Sequence, residues 1–207
     1  MTISKQIKNR IDESSLGSIF IISDFTDITN QDTARKSLAR LEEEEKIKKI
    51  TRGIYYKPKF SNLLGEPVTP NINDIAEAIA RNFEWSITPS GENALNLLGI
   101  SSQVPGRYSF ISSGPYRNYK IGNTEIEFAH RTNKETNGKS YRTRLIIQAI
   151  KAIGKERIAE YLPKIKLRIS REDKEHLLKE GQRTTAWTYE AIKAIAKEEQ
   201  DVSNSQK

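Results

Sequence analysis

Thr33, Lys36 and Arg40 sit three and four residues apart, a spacing that keeps them on the same side of a helix. Ala34, Leu38 and Leu41 form the apolar stripe of that helix, so Asp32, Thr33, Lys36 and Arg40 point away from the core. The chemistry open to such a face is the reading of nucleic acid. A threonine can meet a thymine methyl or donate to a base, while Lys36 and Arg40 can reach guanine edges or phosphates. Asn30 and Gln31 stand at the start of the helix with amide groups suited to adenine, and Arg35 on the flank suits a phosphate. Lys48, Lys49, Arg52 and Lys57 follow around an Arg52-Gly53 turn. An arginine at a hairpin tip fits the narrow minor groove, where negative potential is focused. The four-glutamate run Glu42–Glu45 falls in the last turns of the helix, which leave the groove in this geometry.

Positioning these side chains needs a small folded unit, and the first sixty residues supply its parts. Ile3, Ile7 and Ile11 stack at i, i+4 and i+8, predicting a helix from about Ile3 to Asp12. The apolar run Ile19–Ile22 leads to Ser23, read as the N-cap of a short helix over Asp24–Ile28, and Thr29-Asn30-Gln31 reads as a turn. A longer helix is expected from about Asp32 to Lys46. Ile47–Thr51 and Ile54–Lys57 then read as a hairpin with Gly53 at the position needing positive φ. Tyr55 and Tyr56 alternate, so one is expected on the helices and the other near the surface. Helix, short helix, turn, long helix, hairpin is the order of a winged helix-turn-helix.

Charge agrees with that placement. The 207 residues carry a net +7, and the excess is unevenly spread. Residues 1–60 hold 12 Lys+Arg against 9 Asp+Glu, residues 61–138 hold 6 against 8, and residues 139–199 hold 15 against 9. Two basic lobes flank a near-neutral centre, a pattern that favours an acidic partner. No stretch reaches the ~20 apolar residues that cross a bilayer, and the N-terminus lacks an apolar signal core, so a cytoplasmic protein with no membrane partner is expected.

Pro58, Pro67 and Pro70 place a linker at residues 61–72, between a winged helix-turn-helix domain over 1–60 and a mixed α/β domain over 73–199 whose C-terminal part is helical. The fold class expected is therefore α+β, and residues 200–207 read as a disordered tail. In the second domain a helix is expected over Asn73–Phe83 and a short strand over Trp85–Thr88. Another helix is expected with Thr88 as N-cap and Pro89 at its first position, ending at Gly99. Strands follow at Tyr108–Ser112 and Tyr119–Phe128, the latter folded at Gly122-Asn123. Beyond Ser140 come helices ending at Gly154, then over Lys155–Leu162, Arg171–Glu180 and Thr185–Glu199. Arg142, Arg144, Lys151, Lys155 and Arg157 make a second candidate basic face, although a solvated helix surface accounts for them equally well.

Enzymatic readings find little support. The chain has no cysteine, and His130 and His176 stand far apart without metal-ligand spacing. Glu92 with Glu125 and Glu127 is the nearest approach to a metal-dependent nuclease, but no suitably placed Asp and Lys complete it. No Gly-x-Ser-x-Gly turn or phosphate-binding glycine loop occurs. A non-enzyme without metal or cofactor is expected.

Ala34–Pro58, containing Ser37-Leu38-Ala39-Arg40-Leu41 and Ile50-Thr51-Arg52-Gly53-Ile54-Tyr55-Tyr56, resembles the N-terminal winged helix of AbiEi-type antitoxins. Pro89-Ser90-Gly91-Glu92-Asn93-Ala94-Leu95-Asn96-Leu97-Leu98-Gly99, Gln103-Val104-Pro105 and the strands through Tyr108–Phe110 and Ile126–Phe128 resemble that family's second domain. The resemblance covers roughly Ile3 to Ile153 and implies a bacterial transcriptional repressor binding inverted repeats in its own promoter. It implies further the antitoxin of a type IV toxin–antitoxin pair, a system of abortive infection and antiviral defence. The toxin it opposes would resemble nucleotidyltransferases and form no stable complex with it. The alternative is a winged-helix regulator whose second domain senses an unrelated ligand or protein.

Overall fold

A computed structural model describes residues 2–61, 65–131 and 138–197. The chain is mixed α+β, and its contacts divide it into two compact units, residues 1–86 with 119–126 and residues 87–118 with 127–207. The division after Ser86 differs from a boundary in the proline stretch. The reason is that helix α3 (Ile72–Asn82) packs on strand β1 (Ile19–Ile21) and belongs with the first unit.

In the first unit, α1 (Ile3–Glu13) buries Ile7 and Ile11 and leaves Ile3 exposed. Ile19–Ile21 of the apolar run form strand β1 rather than a lead-in. After β1 the chain tightens into a 3-10 turn over Ile22–Phe25, whose start is fixed by Ile21 N–H donating to the Asp24 carboxylate at 2.9 Å. Ser23 is therefore not a cap but lies inside the turn. Helix α2 (Gln31–Glu43) starts at Asn30 and stops before Lys46. Glu45 takes φ +59, and the Leu41 carbonyl accepts from Lys46 N–H, which turns the chain inward to bury Ile47.

Strands β2 (Lys48–Thr51) and β3 (Ile54–Tyr56) form the hairpin, with Gly53 at φ +77, and the sheet runs in the order β1-β3-β2. β3 is thus the middle strand, and both Tyr55 and Tyr56 are buried, against the expectation of one surface tyrosine. Phe20 pairs with Tyr55 on the face that meets α1 and α2, so Ile19 and Ile21, paired with Tyr56 and Ile54, lie on the other face. α3 packs on β1 and closes that side. Burial holds both phenols above their usual range, with the Glu42 charge adding to the effect at Tyr55. The proline stretch adds a short ladder, β4 (Lys59–Phe60) with β5 (Pro67–Val68). Phe83 falls just beyond α3, partly exposed, and stacks on Trp85 at 4.8 Å.

The second unit corrects another expectation. Thr88 and Pro89 lie in β6 (Ile87–Ser90), and helix α4 (Gly91–Leu97) begins only after Ser90. β6 is an edge strand in the order β6-β7-β9-β8, so a proline without an N–H is tolerated there. β7 spans Arg107–Ser112, while β8 (Arg117–Ile121) and β9 (Thr124–His130) include residues 119–126, which group with the first unit. α5 (Tyr141–Ile153) is the central helix: Leu145, Ile146, Ile147, Ala149, Ile150 and Ile153 are all buried. Around it stand α6 (Ile158–Arg168, which tolerates Pro163), α7 (Arg171–Glu180) and α8 (Ala186–Ala196). Glu180 ties α7 to the start of α5, accepting from Ser140 N–H at 2.8 Å and from its hydroxyl at 3.0 Å. Burial works against the charge of Glu180, but these donors, with Thr143 and His176, outweigh it and hold its carboxyl below the usual range. The tail over 200–207 lies outside the described residues. Among the described residues no helix is long and apolar enough to cross a membrane.

Candidate nucleic-acid interface

Helix α2 is held by its inner face and presents its outer one. Ala34, Ser37, Leu38 and Leu41 are buried, while Gln31, Asp32, Arg35, Lys36 and Arg40 are exposed and Thr33 is half-buried. At about 100° per residue, Asp32, Lys36 and Arg40 fall within a quadrant or so opposite the core, with Thr33 and Arg35 at its two margins.

Two predicted contacts are changed by local bonding. The Asn30 side-chain oxygen accepts from Thr33 N–H at 2.9 Å and caps the helix. A bidentate grip on adenine needs that oxygen and the amide nitrogen together, so Asn30 serves first as a cap and Gln31 is the freer amide. Arg35 donates to Asp32 at 2.8 Å, but both are exposed, and such a pair is weak enough to open toward a phosphate.

The hairpin exposes Lys49 and Arg52, with Lys48 half-buried. Arg52 precedes Gly53 at the turn. Lys57 does not belong to this basic group: its ammonium donates to the carbonyls of Asp12 at 2.7 Å and Ser14 at 2.8 Å, at the C-terminal end of α1.

Sequence reading missed the side chains that hold the 3-10 turn leading into α2. Arg10 donates to the Asp24 carbonyl at 2.7 Å and grips both carboxylate oxygens of Asp27, at 2.8 and 2.5 Å. The same guanidinium lies 5.8 Å from the centre of the Phe25 ring. From α3, Arg81 reaches Asp24 at 3.0 Å. The fork from Arg10 holds the Asp27 carboxyl below its usual range and raises the guanidinium in turn. The partners are 14 to 57 residues apart, and no local pattern announces them.

Arg142 stands apart from the rest of the second candidate basic face. Arg142 is turned to Asp173 at 3.2 Å and to the Arg168 carbonyl at 3.1 Å. Arg144 and Lys151 lie about half a turn away from it on α5, and the Arg144 Nε is buried without a hydrogen-bond partner. Lys155 is exposed in the connection to α6, and Arg157 donates to the Tyr161 hydroxyl at 2.6 Å. Of the three glutamates weighed for a nuclease, Glu127 is engaged by Ser109 at 3.3 Å and Arg107 at 3.5 Å. Among the described residues no three His, Cys, Asp or Glu side chains cluster to hold a metal.

Residues 6–177 match DUF6088, a family described as being of unknown function. No curated protein matches the chain.

Proposed function

The chain belongs to the DUF6088 family, and as that family's function is unknown we propose one from the chain's own residues: it is a sequence-specific DNA-binding repressor that reads duplex DNA through a winged helix-turn-helix in its first unit. The observation that carries this reading is the division of α2, whose apolar side chains are buried while Lys36 and Arg40 are exposed on the opposite face. In this reading the N-terminal half of α2 enters the major groove, where Lys36 and Arg40 address guanine edges or phosphates, Thr33 a thymine methyl and Gln31 an adenine. Lys48 and Lys49 lie along the backbone, and Arg52 reaches the neighbouring minor groove, sensing its width. Glu42–Glu45 repels phosphate at the far end of the helix and so fixes which end enters.

The resemblance of Ala34–Pro58 and Pro89–Gly99 to AbiEi-type antitoxins supports a wider role. We assign the chain as the self-repressing antitoxin of a type IV pair, its partner a nucleotidyltransferase-like toxin. The test is a fluorescence-anisotropy titration of the full chain against duplexes from the region upstream of its own gene and against shuffled duplexes. Tighter binding to one upstream segment is expected, with log affinity falling linearly as log salt rises. Equal binding to native and shuffled duplexes at every salt concentration would refute sequence-specific recognition.

A further inference from the structure

The outward face of α2 carries an acid at its centre. The buried side chains Ala34, Ser37, Leu38 and Leu41 define the inner direction of the helix. At about 100° per residue, Asp32 lies within about 10° of the point directly opposite, closer to it than Lys36 or Arg40. Its side chain is 82 % exposed and accepts from Arg35 at 2.8 Å, at the margin of the same face. Lys36 follows one turn later, a spacing that leaves the two Cβ atoms about 5–6 Å apart. A carboxylate accepts hydrogen bonds and donates none. At the flank of a groove it would meet phosphates and be repelled. At the centre of a face that enters the groove, it meets base edges instead.

We propose that Asp32 is a specificity-determining residue that accepts from the N4 amino group of a cytosine in the major groove. The inference rests on the DNA reading of α2 given above and adds the base that this side chain selects. Only two bases present a donor in the major groove, cytosine through N4 and adenine through N6. Adenine sets its N7 acceptor beside that donor, an unfavourable neighbour for a carboxylate. Guanine offers N7 and O6, and thymine O4, all of them acceptors, so both bases repel it. The order of preference at this position is therefore cytosine, then adenine, with guanine and thymine last. The guanine paired with that cytosine turns its acceptors to the same groove, where they suit the ammonium of Lys36. Opposite charges one turn apart thus match the donor and acceptors of a C·G pair. Arg35 is released in the exchange: its pair with Asp32 is exposed and weak, and phosphate draws the guanidinium to the flank.

The experiment uses the full chain and the tightest duplex from its upstream region, with all four base pairs placed in turn at each position. At one position the wild type should prefer cytosine over guanine or thymine by about tenfold or more. Asp32→Ala should bring that ratio within about twofold of unity and leave the preferences at other positions unchanged. Asp32→Asn should move the preference at the same position from cytosine to adenine, whose N6 and N7 suit a carboxamide. Arg35→Ala should weaken all duplexes alike and keep the cytosine preference. An acid in the first turn also complements the helix dipole, and that role alone predicts a lower melting temperature and an equal loss on every duplex. The base ratios separate the two roles. Asp32→Ala with every wild-type preference intact overturns the inference and leaves the DNA reading standing. Loss of the cytosine preference in Arg35→Ala as well also overturns it, because Asp32 would then act through Arg35 without touching the base. A wild type with no preference at any position overturns the DNA reading itself, and this inference with it.

Discussion

Replacing Lys36 and Arg40 together by alanine should lower affinity for the specific duplex by about a hundredfold or more. A lost base contact typically costs about 1–3 kcal/mol, and two such losses multiply in the binding constant. The two side chains are one turn apart on α2 and can couple, so the double variant need not equal the sum of the single ones. Both are exposed and make no core contact, so the fold should survive, with circular dichroism unchanged. Arg142→Ala provides the contrast. That guanidinium is spent on Asp173 and the Arg168 carbonyl, so its loss should leave DNA affinity within about twofold while costing some stability. The pair of results separates recognition by α2 from a general attraction of a basic protein to phosphate. Equal losses at all three positions would move the binding surface to the second unit.

Phe25→Ala should be the most damaging single change for the first unit. The ring is fully buried, packs 6.1 Å from Phe20 and lies under the Arg10 guanidinium. Truncating such a phenylalanine leaves a cavity and typically costs about 3–5 kcal/mol. The effect should exceed the packing loss in one respect. Phe25 closes the 3-10 turn that Arg10 and Arg81 clamp, and that turn sets where α2 begins. DNA binding should therefore be lost under conditions where much of the secondary structure persists. Phe25→Leu keeps most of the apolar volume and should cost much less. Chemical denaturation gives the stability change, and anisotropy on the same samples gives the binding loss. Wild-type binding by a folded Phe25→Ala would mean that the turn does not position α2.

The parts of this fold legible in the sequence were those set by short-range rules. The α2 stripe at Ala34, Leu38 and Leu41, the Arg52-Gly53 turn, the strand break at Gly122 and the helix stop at Gly154 each follow from local periodicity or from a glycine at positive φ. What escaped was decided by neighbours distant in sequence. Thr88-Pro89 has the local signature of a helix start, yet pairing with β7 claims both residues, Thr88 opposite Ile111 and Pro89 opposite Phe110. Ile19–Ile21 is too short to declare itself a strand until β3 pairs with it, and that pairing buries the second tyrosine. The same holds for the candidate site. Lys36, Arg40 and Arg52 were readable as exposed cations of a helix and a turn. The recruitment of Lys57 to the end of α1 and of Arg10 to Asp27 depends on three-dimensional proximity. Asn30 lay between the two cases: its residue type signals a cap as plainly as a base contact.

Hydrogen–deuterium exchange of the full chain, with and without the tightest upstream duplex, tests the central claim most directly because it reports where DNA touches. Recognition through the first unit predicts slowed exchange in the first turns of α2, over Gln31–Lys36 and the preceding turn, and in the hairpin from Lys48 to Tyr56. The helices from Tyr141 to Ala196 should exchange as in the free protein. Protection confined to those helices, with α2 and the hairpin unchanged, would contradict the account.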